Sequence, residues 1–246
     1  MADGGTEGAT DGLLLTGERT LPGICRENYW FRRHEVVYRA LAPACTDAVV
    51  VDAGCGEGYG ADLLADVAQT VLALDHDARS VAHVARRYPR VTAARANLVA
   101  LPVRNVDVVV SLQVIEHLWD QDRFLRECHR ALRRGGLLVV STPNRITFSP
   151  EGTVNPFHTR ELDADELSGL VRDAGFADPT LRGLHHGPRL AALRGGGIVA
   201  EQTALALAGT PWPEDLRADV ASVTCADFVL GEPDGSLDLL VTARRP

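Results

Sequence analysis

No CxxC pair occurs among the five cysteines, Cys25, Cys45, Cys55, Cys128 and Cys225, which are scattered and odd in number. That argues against a structural zinc site and against a disulfide framework. No apolar run is long enough to cross a bilayer. The opening MADGGTEGATDG lacks the basic and apolar regions of a secretory signal, so a soluble, cytoplasmic chain is expected. Basic residues are outnumbered, 25 Lys+Arg against 33 Asp+Glu, giving a formal net charge of -8. A broad footprint for nucleic acid is not expected from that balance. Aromatics are sparse at 5%, but hydrophobic residues reach 46% and charged residues 24%, values that exclude wholesale disorder. A chain of 246 residues can bury a core without staples.

Residues 1–12 carry almost nothing to bury and are expected to form a disordered tail. Residues 13–246 are expected to form one domain, with an N-terminal lid region over 13–45 and a helical insertion over 188–221. The spacing of Trp30, Phe31, Val37, Tyr38 and Leu41 predicts an amphipathic helix over 28–42, closed by Pro43. From Ala48 the chain alternates. Apolar, β-branched runs at 48–54, 71–75, 91–97, 106–112 and 137–144 read as strands. Helical patterns lie between them at 59–68, 78–88 and 120–136. This alternation implies a parallel, doubly wound α/β sheet covered on both faces, with ligands at the carboxyl ends of the strands. Further on, Asp163 and Glu166 form a capping box that opens a helix closed by Gly175. A strand near 179–184 and a hairpin from about 225–230 to 237–243 are expected to finish the sheet, with two helices between them broken at GTPWPED.

The densest local signal follows the first strand: Asp52-Ala-Gly54-Cys55-Gly56-Glu-Gly58-Tyr-Gly60. Glycines allow a tight turn and close approach of a ligand to backbone, and the helix start offers unpaired N–H groups. The spacing is GxGxG, not the GxGxxG of dinucleotide binders. Cys55 reads as a small packing residue inside this loop, not as a nucleophile. Asp75 ends the second strand, just before His76, where a carboxylate can accept two hydrogen bonds from a ribose diol. Asn97 and Leu98 follow the third strand, and an amide there can meet an adenine edge. Gln113 ends the fourth strand, ahead of Val-Ile-Glu116-His117.

The ordered series DAGCGEGYG, LALD, ANLVALP, SLQVIEHL and LRRGGLLVVSTPN resembles the motif series of class I S-adenosylmethionine-dependent methyltransferases. The resemblance implies a Rossmann-like, seven-stranded, mostly parallel sheet and S-adenosyl-L-methionine as cofactor, with S-adenosyl-L-homocysteine as product. It implies that Asp52, Gly54, Cys55, Gly56 and Gly58 meet the methionine end, that Asp75 holds the ribose hydroxyls beside His76, and that Asn97, Leu98 and Gln113 complete the site. The family usually has Asp where Asn97 stands. A narrower resemblance runs through LTGERTLPG, ENYWFRRHEVVY, QVIEHLWDQ, STPNRITFSP and NPFHTREL. These peptides are similar to the mycofactocin oligosaccharide methyltransferase family, which implies O-methylation of a glucose in a glycosylated redox cofactor. The competing readings are a methyltransferase acting on a quinone, phenol or other metabolite, and a non-catalytic cofactor-binding scaffold.

A sugar hydroxyl is a poor nucleophile at neutral pH and needs a base nearby. His117, with Glu116 beside it to orient or charge the ring, is one candidate; alternatively, the pair merely fixes the loop. His158 in NPFHTREL is the other, with Asn155 and Pro156 to fix the approach of its loop; alternatively, it is a hydrogen-bonded loop histidine that caps the helix that follows. Tyr29 and Arg32 lie on the N-terminal helix, where an arginine can pair with the cofactor carboxylate. His185 and His186 are adjacent on a strand and point to opposite faces, so they do not share a metal, and no metal site is expected.

Overall fold

The computed structural model describes residue 13, residues 19–150 and residues 155–246. The expected tail over 1–12 lies outside the described residues. The described residues divide into two compact units, one holding those up to residue 37 together with 186–229, the other holding those of 38–185 together with 230–246.

The larger unit is the alternating one. Strand β1 (Val49–Ala53) leads through α2 (Tyr59–Leu64) to β2 (Thr70–Asp75), and α3 (Ala78–Arg87) leads to β3 (Thr92–Arg95). Strand β4 (Val106–Leu112) leads through α4 (Gln121–Ala131) to β5 (Leu132–Pro143). The short α5 (Arg145–Phe148), α6 (Ala164–Asp173) and β6 (Ala177–His186) follow, and β7 (Phe228–Gly231) and β8 (Asp238–Arg244) come later. The capping box is formed as expected: the Asp163 carboxylate accepts from the Glu166 N–H, and the Glu166 carboxylate accepts from the Asp163 N–H. Helix α2 stops at Leu64, well before the expected residue 68. Ala65, Val67 and Ala68 instead close turns onto Ala61 and Leu64.

Eight strands, not seven, make the sheet among the described residues, in the order β3-β2-β1-β4-β5-β8-β6-β7. The short β7, expected as the first arm of the closing hairpin, lies at the edge beside β6. The expected hairpin between it and β8 does not form. Strand β8 instead runs antiparallel to β5 on one side and to β6 on the other. β1 through β5 are parallel throughout. The order reverses between β1 and β4, so the crevice outside their carboxyl ends is the ligand position of such a sheet.

The core explains the near-continuous apolar strands. Val51, Val109, Leu138, Val140 and Val241 are wholly buried on the sheet. Phe124, Leu125 and Cys128 of α4, with Leu167 and Val171 of α6, belong to the same apolar cluster. A strand covered on both faces needs no polar alternation, which is why β4 and β5 read as runs.

In the smaller unit, α1 (Asn28–Leu41) begins, and its last four residues belong to the larger one. The region expected to hold two helices carries three, α7 (Pro188–Ala192), α8 (Ile198–Ala208) and α9 (Glu214–Ser222), and the expected break GTPWPED ends at Pro213, since Glu214 and Asp215 already open α9. Among the described residues no helix is long and apolar enough to cross a membrane.

Candidate active site

The glycine loop is built by backbone that only glycine adopts easily. Gly54, Gly56 and Gly58 have φ of 89°, 55° and 99°. A methyl group on Gly54 would also stand 2.5 Å from Val114 Cγ2, so the loop closes against the segment that follows β4. Both carboxylate oxygens of Asp75 help to hold this edge. Oδ2 accepts from the Gly56 N–H at 2.9 Å and Oδ1 accepts from the Asp77 N–H at 2.9 Å. Each oxygen has a second lone pair for a ligand hydroxyl. His76 is exposed, its Nδ1 3.3 Å from Asp75 Oδ1. Cys55 is buried, and its N–H donates to the Leu74 carbonyl at 3.1 Å, in keeping with a packing role.

Tyr38 and Glu57 brace this loop, and neither stood out in the sequence as a site residue. The Tyr38 hydroxyl donates to both oxygens of the buried Asp52, at 3.2 and 3.3 Å. A methyl group on Gly60 would fall 2.0 Å from the Tyr38 ring, which makes Gly60 the seat of that ring. Glu57 is buried and receives the Tyr88 hydroxyl at 2.8 Å and the Tyr59 N–H at 3.1 Å, with His83 Nε2 at 2.8 Å.

Asn97 is exposed, and its carbonyl oxygen accepts from the Val99 N–H at 3.1 Å, capping a short turn over Leu98–Ala100. Leu98 is buried beneath it. Gln113 has φ of 56°, an uncommon conformation for a residue with a side chain. Its N–H donates to the Ser141 carbonyl at 2.9 Å and its amide donates to Ser141 Oγ at 3.2 Å.

Beyond Gln113 the two candidate histidines meet. The rings of His117 and His158 stand edge to face with centroids 5.0 Å apart. The intervening backbone makes this pairing. Thr159 and Arg160 donate their N–H groups to the Glu116 carbonyl at 2.7 and 3.2 Å, and the Thr159 hydroxyl donates to the His117 carbonyl at 3.1 Å. The Glu116 side chain is buried and accepts from Thr142 Oγ1 at 3.0 Å. Glu161, three residues after His158, lies 2.7 Å from its Nδ1. Trp119 is 91% exposed and Phe157 56% exposed, two large rings at the surface on the same two segments as the histidines.

Tyr29 and Arg32 belong to the smaller unit. Tyr29 is fully buried there, its hydroxyl 2.7 Å from His186 Nε2, and Arg32 donates to the Glu35 carboxylate.

The comparisons decide what such a loop and strand edge belong to. Residues 51–140 match the family model of a methyltransferase domain. A probable S-adenosylmethionine-dependent methyltransferase of Mycobacterium tuberculosis is 60% identical over 247 residues, covering 95% of this chain and 90% of its own. The chain belongs to the S-adenosylmethionine-dependent methyltransferases. A probable methyltransferase of the same kind from Mycolicibacterium smegmatis is 56% identical over 246 residues, covering 95% of this chain and 96% of its own. Among solved structures, an S-adenosylmethionine-dependent methyltransferase of Thermotoga maritima, described as a possible histamine N-methyltransferase, shares the fold with a TM-score of 0.61. It is 18% identical, over 89% of this chain and 93% of its own.

The methyltransferase therefore uses S-adenosyl-L-methionine, and the loop fits that group. The cofactor brings an activated methyl on a sulfonium, a ribose diol and an adenine. The Asp75 carboxylate keeps acceptor capacity beyond its two backbone bonds, which suits a diol, and the open glycine backbone lets a ligand approach closely.

Burial pushes the Asp52 carboxyl up to about 7; the Tyr38 hydroxyl pulls it the other way and the nearby Asp75 adds to the rise. A raised folded-state pKa means that the folded chain binds this proton more tightly than the unfolded chain does. The stabilisation is complete below the ordinary carboxylate range and is lost as pH rises through about 7. Urea unfolding of the cofactor-free methyltransferase and of Asp52→Asn should therefore diverge between pH 5 and pH 8. The wild type should weaken relative to the variant as pH rises; a flat or opposite trend would mean that Asp52 is ionised in the fold.

Proposed function

We propose that this methyltransferase acts on a sugar hydroxyl, a glucose of the mycofactocin oligosaccharide, in the cytoplasm and without a nucleic-acid partner. The observation that carries the sugar reading is the pair of exposed rings, Trp119 and Phe157, set on the segments that bring His117 and His158 together. Aromatic faces stack on the C–H faces of a pyranose while neighbouring polar groups take its hydroxyls. Both rings stand open to water, where an acceptor with apolar faces can reach them. The peptides shared with the mycofactocin oligosaccharide methyltransferase family point to the same acceptor, and the acidic net charge of -8 weighs against a polyanion.

In this reading Asp75 holds the ribose diol beside His76. Asp52, Gly54, Cys55, Gly56 and Gly58 meet the methionine portion, and Asn97, Leu98 and Gln113 line the base and the methyl end. The sulfonium supplies the activated methyl. The chain aligns the acceptor oxygen with it, and His117, His158 and Glu116 hold that oxygen and help to remove its proton.

The test is mass spectrometry of purified enzyme with S-adenosylmethionine and a panel of oligoglucosides, the mycofactocin glycan, quinols and phenols. Gain of a single methyl mass on the glucosides alone is expected. Trp119→Ala should raise KM for the glucoside about tenfold, the cost of about 1.4 kcal/mol of stacking, with cofactor affinity unchanged. Methylation of the quinols or phenols alone would overturn the sugar reading.

A further inference from the structure

We infer that Glu116, His117 and His158 form a binding site for one divalent transition-metal ion, and that this ion receives the acceptor hydroxyl. The inference rests on the placement of the acceptor at this edge of the sheet. One ligating atom from each of the three side chains lies within 4.8 Å of the other two. Spacing in the sequence gives no hint of this, because His158 follows the Glu-His pair by some forty residues and arrives through the backbone bonds to Glu116.

The hydrogen bonds show which atoms the imidazoles offer. His117 Nδ1 lies 3.0 Å from the Phe157 carbonyl oxygen, which only accepts, so Nδ1 carries the proton and Nε2 the lone pair. His158 Nδ1 lies 2.7 Å from a Glu161 carboxylate oxygen, which sets the same tautomer. A second contact agrees. Asn155 Oδ1 accepts from the Phe157 N–H at 2.9 Å, which turns the Asn155 amino group toward His158 Nε2 at 3.3 Å. That nitrogen is therefore an acceptor, and a cation replaces the long contact with Asn155.

Imidazoles whose Nδ1–H is held by a carboxylate or a carbonyl are the usual form of metal-ligating histidine, since the outer partner fixes the ring and raises its basicity. Glu161 and the Phe157 carbonyl serve as those partners, and Thr142 orients the Glu116 carboxylate in the same way. Two imidazoles and one carboxylate leave coordination positions open, and this donor set favours transition metals over Mg²⁺ or Ca²⁺. Bonds of about 2.0–2.2 Å bring the ligand atoms closer than they stand now, so a modest closure of the three side chains accompanies binding. A hydroxyl on the ion loses its proton to solvent at lower pH than a free one. Its oxygen then forms the bond to the methyl carbon as the carbon–sulfur bond breaks, and the sulfonium leaves as a neutral thioether.

The experiment uses the untagged full chain, stripped with chelator and titrated with Co²⁺, followed by calorimetry and visible absorption. One Co²⁺ per chain is expected. His117→Ala and His158→Ala should each weaken it at least tenfold while S-adenosylhomocysteine still binds. Glu161→Gln, which keeps all three ligands, should weaken it by about 10–100-fold, the usual effect of losing an outer partner. No Co²⁺ binding, or binding that ignores all three substitutions, overturns the site. An enzyme that methylates glucosides after stripping and holds no Co²⁺ loses the metal and keeps the sugar reading. One that binds Co²⁺ through these residues yet methylates only quinols keeps the metal and loses the sugar.

Discussion

Asp75→Ala should all but abolish cofactor binding. Two charge-assisted hydrogen bonds to a ribose diol are worth about 1.5–3 kcal/mol each, so their loss weakens affinity by about 10²–10⁴-fold. The loop adds to the effect, because the same carboxylate holds the Gly56 and Asp77 N–H groups. Calorimetry with S-adenosylhomocysteine measures this directly, free of any question about the acceptor. Asp75→Asn separates the two contributions: it keeps an acceptor oxygen, and should restore part of the affinity by holding one side of the turn. A loss under tenfold in the alanine variant would place the ribose elsewhere.

His158→Ala should lower kcat by about 10²–10⁴-fold, the usual contribution of a positioned group that handles a proton in the transition state. The nitrogen is lost whether it serves as proton acceptor or as ligand to an ion. The ring is nearly buried, with 8% of its side chain exposed, and stacks on Phe148 with centroids 5.3 Å apart, so a local void accompanies the change. For that reason the comparison with His158→Phe matters. If packing were the whole role, an aromatic ring without nitrogen would refill the space beside Phe148, and single-turnover rates would return toward the wild type. Neither variant should change affinity for S-adenosylhomocysteine, since none of the described cofactor-loop contacts passes through His158.

Much of the larger unit was legible because its signals are local. β1 to β5 carry their burial in their composition, and Asp163 with Glu166 announces its helix by spacing alone. The glycine loop was legible for the same reason: a positive φ at three alternate positions demands one residue type. What escaped depends on partners distant in the chain. That β8 separates β5 from β6 is a matter of strand order, and its alternation fits a hairpin with β7 equally well. The meeting of His117 with His158 rests on backbone bonds from Thr159 and Arg160, which no side-chain pattern records. Tyr38 sits where a helix stripe calls for an apolar residue, so its hydroxyl on Asp52 was hidden behind an ordinary packing role. Trp119 belongs to no local pattern that marks it, and only the folded structure shows its ring exposed.

The position of β8 has a consequence for how this chain acquires its fold. β5 and β6 both leave the ribosome before the strand that pairs with each of them, and the chain builds residues 186–229 in the interval. Until β8 arrives, β5 presents a long row of unpaired backbone groups beside an apolar face, the kind of edge that recruits strands from other molecules. Pairing across so many residues is also slow to find. The growing chain is therefore most in need of chaperone protection during this interval, and a synonymous-codon change that slows translation between β6 and β8 should show itself as aggregate.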